Sequence, residues 1–345
     1  MKVSVIIPVY NVSKYIERCL LSVLNQTWQD LEVILVNDCT PDDSMEIAER
    51  VVKAHPRGKD VLFRANEKNK GLSATRNLAI HAATGDYLFF LDSDDYLPLD
   101  SLAILSLELQ TKKYDFVLGD YEITGQSRSL HSHKMGKRGL HSNEEILSSY
   151  SMFLWPRMAC NILVNRNFLL SEELFFKEGI VHEDDLWTFQ LACKAGSAYF
   201  CNKTTYYYYT HSNSITGNPS LWNLQCRVFI VDLMYNYILS DAKLMRNKYV
   251  YVTFEETKAK YFDRILYFTK DESFRYKSYQ SFRQRRYISN LKAFLCFHLH
   301  LSLFLRNLHY AFPIHLGYLY FKFFVKFSYY LLVLPIKVKR LLHIK

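Results

Sequence analysis

The 345-residue sequence predicts an α/β fold built on a mostly parallel sheet, followed by a C-terminal helical region. Three observations carry this. Short apolar runs at 3–10, 31–37, 61–63 and 87–91 alternate with segments whose apolar residues recur every three or four positions, the β-α-β order of a parallel sheet with helices on both faces. The second and fourth runs end abruptly in acidic residues, which parallel strands deliver to the carboxyl edge where open α/β folds bind ligands. Beyond about Leu221, glycine and proline become scarce and the pattern stays helical.

In chain order, Val3–Tyr10 reads as a strand containing Pro8, and Tyr15, Ile16, Cys19, Leu20, Val23 and Leu24 form the apolar stripe of a helix. Leu31–Asn37 is a second strand, followed by Asp38, Thr40, Asp42 and Asp43. A helix from about Ser44 to Ala54 carries acids early, which suits its dipole. Val61–Phe63 is a third, short strand. The turn Asn69-Lys70-Gly71 leads into a helix bearing Arg76 and Asn77, and Gly85 precedes the fourth strand, Tyr87–Leu91. That strand runs straight into Asp92-Ser93-Asp94-Asp95. On residue type alone this is either an acidic turn or a set of hard oxygen ligands suited to Mg2+ or Mn2+, with a diphosphate as partner.

Composition narrows the class. Hydrophobic content of 49% with 22% charged residues belongs to a folded chain long enough for one large domain or two ordinary ones. The seven cysteines (19, 39, 160, 193, 201, 226, 296) are odd in number and hold no C-x-x-C pair, which excludes a disulfide framework and a zinc site and predicts a reducing cytosol. Met1-Lys2-Val3-Ser4 enters a strand directly, with no signal peptide expected. Charge is asymmetric: residues 1–220 hold 22 Lys/Arg against 27 Asp/Glu, and residues 221–345 hold 21 against 7. The first β-α turn, Pro8–Ser13, contains no glycine, which argues against a dinucleotide fold, and no Walker-type loop occurs.

Five segments together resemble the family 2 glycosyltransferases: Val5–Asn11, Ser22–Thr27, Val36–Ser44, Asn69–Asn77 and Leu91–Asp95, in the family's order over roughly residues 3–100. The resemblance implies a GT-A-type nucleotide-sugar domain over 1–218, with a nucleotide-sugar half (1–118) and an acceptor half (119–218), ahead of a helical region over 219–345. It implies an inverting transfer from a nucleotide-diphosphate sugar, most simply a UDP-sugar, to a saccharide or lipid-linked hydroxyl in surface polysaccharide or glycoconjugate synthesis. It places Asp38 against the nucleobase, Arg76 near base and diphosphate, and Pro8 and Tyr10 along the nucleotide. It places Asp92 and Ser93 at the ribose, Asp92 and Asp94 at a Mn2+ or Mg2+ ion, and Asp95 in support of them. Each has a plain counterpart: an Asp before a helix is ordinary, Arg76 suits a surface helix, and Tyr10 suits packing.

An inverting transfer also needs a base for the acceptor hydroxyl. Gly179–Trp187 includes Glu183-Asp184-Asp185 at the start of a helix, where acids also serve the dipole alone. The resemblance assigns the base to Asp184, with Glu183 orienting the acceptor; His182 is a chemical alternative. Tyr206–Thr216 resembles the family's closing strand and its Ser-Ile-Thr turn, with Thr210-His211 where relatives often carry arginine. His211 reads either as a metal ligand or as a loop histidine. Trp155-Pro156-Arg157 and Cys160–Leu163 fall where relatives meet the acceptor. A sugar nucleotidyltransferase and a non-catalytic, membrane-associated nucleotide-sugar binder stand as alternatives; the first would want a glycine-rich basic loop where Pro8–Ser13 stands.

After Glu272 there are 13 Lys/Arg and no acid, interleaved with aromatics. Lys322 and Lys326 interrupt the most apolar window, 316–336, and disfavour a membrane span. The region reads as an in-plane helix on an anionic membrane, as a helical subdomain whose aromatics pack on the catalytic domain, or as a basic RNA surface; no RNA module accompanies it, and no nucleic-acid partner is expected. The expected setting is cytoplasmic, peripheral at the inner face of the membrane.

Overall fold

The computed structural model describes residues 1–126, 129–131, 134–211, 220–287 and 301–332. The chain divides into two compact units, Met1–Gly217 and Asn218–Lys345.

In the first unit, β1 (Val3–Val9), β2 (Leu31–Asn37), β3 (Val61–Ala65) and β4 (Tyr87–Phe90) alternate with α1 (Ile16–Leu24), α2 (Ser44–Ala54) and α3 (Leu72–Ala82). After β4 come α4 (Ser101–Ser106), β5 (Phe116–Gly125), β6 (Ser129–His131), β7 (Arg138–Leu140), α5 (Asn143–Ser151), β8 (Ile162–Asn165), α6 (Arg166–Ser171), α7 (Glu183–Lys194) and β9 (Ala198–Thr210). The described strands form one sheet in the order β3-β2-β1-β4-β8-β5-β9-β7, with β6 beside β5. Neighbours β3, β2, β1 and β4 are parallel, as are β5 and β9, whereas β8 is antiparallel to both β4 and β5. The α/β fold with a mostly parallel sheet and C-terminal helices is therefore the one the sequence predicts. The insertion of β8 between β4 and β5 is not, because a four-residue apolar run carries no periodicity of its own.

Near-continuous apolar strands are what a sheet covered on both faces requires. Val5, Ile7 and Val9 of β1 and Phe89 of β4 are fully buried in one cluster with Ile16, Cys19, Leu20 and Val23 of α1 and Ala48 of α2. Phe90 points to the other face, edge-on to Phe176 and to Trp187 of α7 at 5.2 and 5.6 Å. Register Ile6↔Ile34 and Ile6↔Phe90 brings the carboxyl ends of β1, β2 and β4 to one edge. At that edge the glycine-free first turn spends its backbone donors internally. Asn11, Val12 and Ser13 N–H donate to Thr40 Oγ1, Ser44 Oγ and Asp42 Oδ2 at 2.7, 3.0 and 2.8 Å, so this turn is not a phosphate cradle.

The second unit is helical: α8 (Leu221–Leu239), α9 (Ala242–Arg246), α10 (Lys248–Phe268), α11 (Glu272–Gln284), α12 (Leu301–Asn307) and α13 (Ile314–Leu332). Its aromatics pack among themselves. Phe262 of α10 lies within 5.1–6.5 Å, ring centre to ring centre, of Tyr279, Phe282, Tyr318 and Phe321. Lys258 is buried against Glu255 at 2.6 Å, with the Tyr310 hydroxyl 2.5 Å from its ammonium. No described helix is long and apolar enough to cross a membrane; residues 333–336 of the apolar window lie outside the described residues.

Gly85 lets the chain pass close under β1. A Cβ there would meet Ser4 Oγ at 2.5 Å, Ser4 N at 2.8 Å and Lys2 O at 2.9 Å, and the last two are backbone atoms that cannot move aside. Gly85→Ala is expected to cost about 1–3 kcal/mol in urea unfolding. An unchanged midpoint would show that β1 and β4 are not held in this register.

Candidate active site

Arg76 joins the two acidic motifs. It leaves α3 wholly buried, and the sheet brings Asp92, just past the end of β4, and the first turn of α7 to meet it. Its Nη2 donates to Asp92 Oδ1 at 2.7 Å, and its Nη1 donates to Glu183 Oε1 and Asp184 Oδ1, both at 2.9 Å. Its guanidinium lies 5.0 Å from the Phe176 ring centre. The surface-helix alternative for Arg76 is thus excluded. Burial alone would weaken its charge, but the charges of Asp92, Asp184 and Glu183 hold it more firmly protonated than a free arginine.

The carboxylates respond to the same balance. Burial, then repulsion from Asp184, lifts Glu183 to about 7 against the pull of Arg76. Asp184 is also raised, first by burial and then by Asp92, with Arg76 and the Ala159 N–H opposing. Exposure separates their tasks: Asp184 and Asp92 keep 27% and 28% of their side-chain surface, whereas Glu183 keeps 7%. Glu183 is thus the buried member of the three, and Asp184 is partly open to solvent. His182, the other candidate base, is the N-cap of α7 in left-handed backbone (φ 66°).

A second network holds Asp94. Asp95 is 1% exposed; its Oδ2 accepts from Tyr206 Oη and its Oδ1 from Tyr209 N–H, each at 2.6 Å. Tyr206 Oη in turn accepts from Asp92 N–H at 3.3 Å. These bonds lock the turn after β4 onto β9, and at the end of β9 His211 Nε2 lies 3.0 Å from Asp94 Oδ2. Tyr15 stacks on the His211 ring at 4.8 Å. Arg18 donates to the Asp94 carbonyl at 2.8 Å and lies over the rings of Tyr96 and Tyr209 at 4.4 and 4.0 Å. Burial and the neighbouring Asp92 raise Asp94, and His211 offsets part of this.

Asp94 and His211 suit a divalent cation, because a carboxylate oxygen and an imidazole nitrogen, Nε2, meet here at 3.0 Å. Among the described residues no three His, Cys, Asp or Glu form a closed cage. A cation at this point would complete its shell from phosphate and water, the usual arrangement for Mg2+.

Asp38 is an internal strut at the neighbouring strand end. Its carboxylate accepts from Asn66 Nδ2 at 2.7 Å and from the Lys70 and Gly71 N–H groups at 2.8 Å each. Asn66 also donates to Thr75 on α3 at 3.0 Å, so Asp38 fixes the first turn of the helix that carries Arg76. Pro8 is buried in β1, Ser93 is 7% exposed, and Tyr10 stands 47% exposed on the same edge. In the Trp155–Arg157 segment, Trp155 is buried at 3% exposure. The buried Cys160 thiol is pushed up by burial and then by Asp92, Asp95 and Asp184, which puts it within electrostatic reach of all three. The Ser-Ile-Thr turn, 214–216, lies outside the described residues. The helix-face pair Tyr15 and Arg18 and the individual tasks of Tyr206 and Tyr209 were not predicted from sequence; only the tyrosine run itself marked that strand.

Residues 4–174 match the family described as Glycosyl transferase family 2. The uncharacterized glycosyltransferase EpsJ of Bacillus subtilis is 32% identical over 230 residues, 63% of this chain and 63% of EpsJ, so the match spans under two thirds of that relative's length. The crystal structure of residues 1–349 of S. aureus TarS in complex with UDP-GlcNAc superposes with a TM-score of 0.68 at 20% identity, over 95% of this chain and 91% of that one. The mannosyltransferase PcManGT of Pyrobaculum calidifontis, in complex with GDP-Man and Mn2+, has a TM-score of 0.51 at 15% identity, over 95% and 86% of the two chains. Both structures share the fold.

Arg76→Met leaves three carboxylates facing one another with no counter-charge. It is expected to destabilise the protein by about 3–5 kcal/mol at pH 8. Without the guanidinium these carboxyls are raised further, so the folded state takes up more protons than the unfolded chain as pH falls, and the loss shrinks toward pH 5. Thermal melts of both proteins across that range test this; a deficit independent of pH would contradict it.

Proposed function

The chain belongs to glycosyl transferase family 2 through its N-terminal unit, and on that premise we propose that it transfers a glycosyl group, with inversion, from a UDP-sugar to a saccharide or lipid-linked hydroxyl. The sugar is of hexosyl or N-acetylhexosaminyl type, and the setting is surface polysaccharide or glycoconjugate synthesis at the inner face of the cytoplasmic membrane. One observation carries this reading. Arg76 joins Asp92, inside the matched segment, to Glu183 and Asp184, beyond it, so that two acidic motifs meet at one guanidinium.

Asp184 is the base. The acceptor oxygen attacks the anomeric carbon as the bond to the diphosphate breaks, the nucleoside diphosphate leaves with the electron pair, and the hydroxyl proton passes to an Asp184 oxygen. A carboxylate raised by burial accepts that proton better than an ordinary aspartate, provided it is ionised at working pH. Arg76 keeps it ionised and aimed, and Glu183 fixes the start of α7 from behind. Asp94 and His211, with Asp92 alongside, would hold Mn2+ or Mg2+, which neutralises charge on the departing diphosphate. Asp95 fixes the turn bearing both aspartates. Tyr10, Pro8 and Ser93 face the nucleotide, and Asp38 and Arg76 shape that pocket from within as much as by contact. Support for UDP and for the metal comes from TarS, seen with UDP-GlcNAc, and from PcManGT, seen with Mn2+.

UDP release from UDP-sugars, with water as acceptor and Mn2+ present, tests the reading. The intact chain should turn over at least one donor and lose activity with chelator or in Asp94→Ala. Asp184→Asn should fall by about 10²–10⁴-fold while a donor still raises its melting temperature. Because burial raises Asp184, kcat/KM should begin to decline on the acid side above the ordinary aspartate range. Full activity in Asp184→Asn, or an acid limb at an unshifted carboxylate value, would overturn the assignment.

A further inference from the structure

Helix α13 (Ile314–Leu332) has two apolar faces, and only one belongs to the core of its unit. Tyr318, Phe321 and Val325 are buried, with Tyr318 and Phe321 against the rings of Phe262 and Tyr279. Leu316, Leu319, Phe323 and Phe327 follow one another at three- and four-residue spacing and are 57, 58, 65 and 45% exposed. Phe323 and Phe327 stack on each other, 5.6 Å between ring centres and 14° between planes. A contiguous exposed stripe of large side chains on a helix already anchored by its other face marks a contact surface rather than scattered surface residues.

Charge selects the occupant. The chain holds 13 Lys/Arg and no acid after Glu272, and Lys326 is exposed beside the stripe. A second copy would bring like charges together; an anionic lipid surface is complementary. Lys322 and Lys326 make burial of α13 across a bilayer costly; Lys322 is held by Glu272 at 2.8 Å, whereas the exposed Lys326 is compatible with a helix lying in the interface, where lysines reach the headgroups.

We infer that the outward stripe Leu316, Leu319, Phe323 and Phe327 docks the protein flat on an anionic phospholipid surface. This rests on the membrane placement proposed above and names the face responsible. It is independent of sugar transfer, because its assay reads binding without turnover.

Flotation of the full chain with vesicles of phosphatidylglycerol in phosphatidylcholine, against phosphatidylcholine alone, tests it. The intact chain should float with the anionic vesicles only. A Leu319→Asp/Phe323→Asp variant should lose at least about tenfold in partitioning, since each side chain contributes apolar area to the interface. Its melting temperature should be unchanged, because both side chains are exposed. Leu107→Asp, a control on the first unit, should float like the intact chain. If the intact chain does not float, both the placement and this inference fall. If the double variant floats as well as the intact chain, the membrane placement stands and this face is not its cause. If the substitutions instead convert a dimer to a monomer in gel filtration, the stripe is a self-interface and the inference fails.

Discussion

Arg76 is a buried cation facing three carboxylates, and the site exists because that charge balance holds three elements together. Helix α3, the end of β4 and the first turn of α7 each contribute one side of the arrangement. Burying ions is costly, and the attraction between them offsets that cost only with good geometry and further hydrogen bonds. Here the bonds are short, and Phe176 backs the guanidinium. Burial first, and then repulsion among the carboxylates, raises Glu183 and Asp184 above their ordinary values. The Asp38 strut contributes by fixing the turn from which α3 starts.

A second constraint works from the other side of the turn after β4. Asp95 is buried to receive Tyr206 and Tyr209, and this rigid join places Asp94 against His211. Arg18 and Tyr15, from the outset of α1, then close the surroundings of that pair with stacked rings. Asp94 therefore owes its position to three separate elements. Removing Asp95 would act on the pair without touching it.

The parallel core of the fold was legible because β1 to β4 each have an apolar run and the intervening helices have clear periodicity. Asp92, Asp94, Glu183 and Asp184 were legible as acids at a strand end and a helix start. What joins them was not. Arg76 and Glu183 are 107 positions apart, and nothing local tells a buried hub from a surface arginine. The same holds for Asp38, whose partners at 66, 70 and 71 meet it only once β2 and α3 have packed. The second unit is a subtler case. Counting its lysines and arginines marks it as basic, yet Lys258, Arg285, Arg306 and Lys322 are paired with Glu255, Asp232, Glu256 and Glu272 inside it. Composition reports the net charge; pairing decides which part of it faces outward.

The site depends on Asp92 and Asp184 answering to one guanidinium. A double-mutant cycle between Asp92→Asn and Asp184→Asn, read as unfolding free energy in urea at neutral pH, measures this directly. Two carboxylates that share Arg76 should show a coupling energy of about 0.5–3 kcal/mol. Additivity to within about 0.5 kcal/mol would mean that the two motifs are independent, and that they do not form one site.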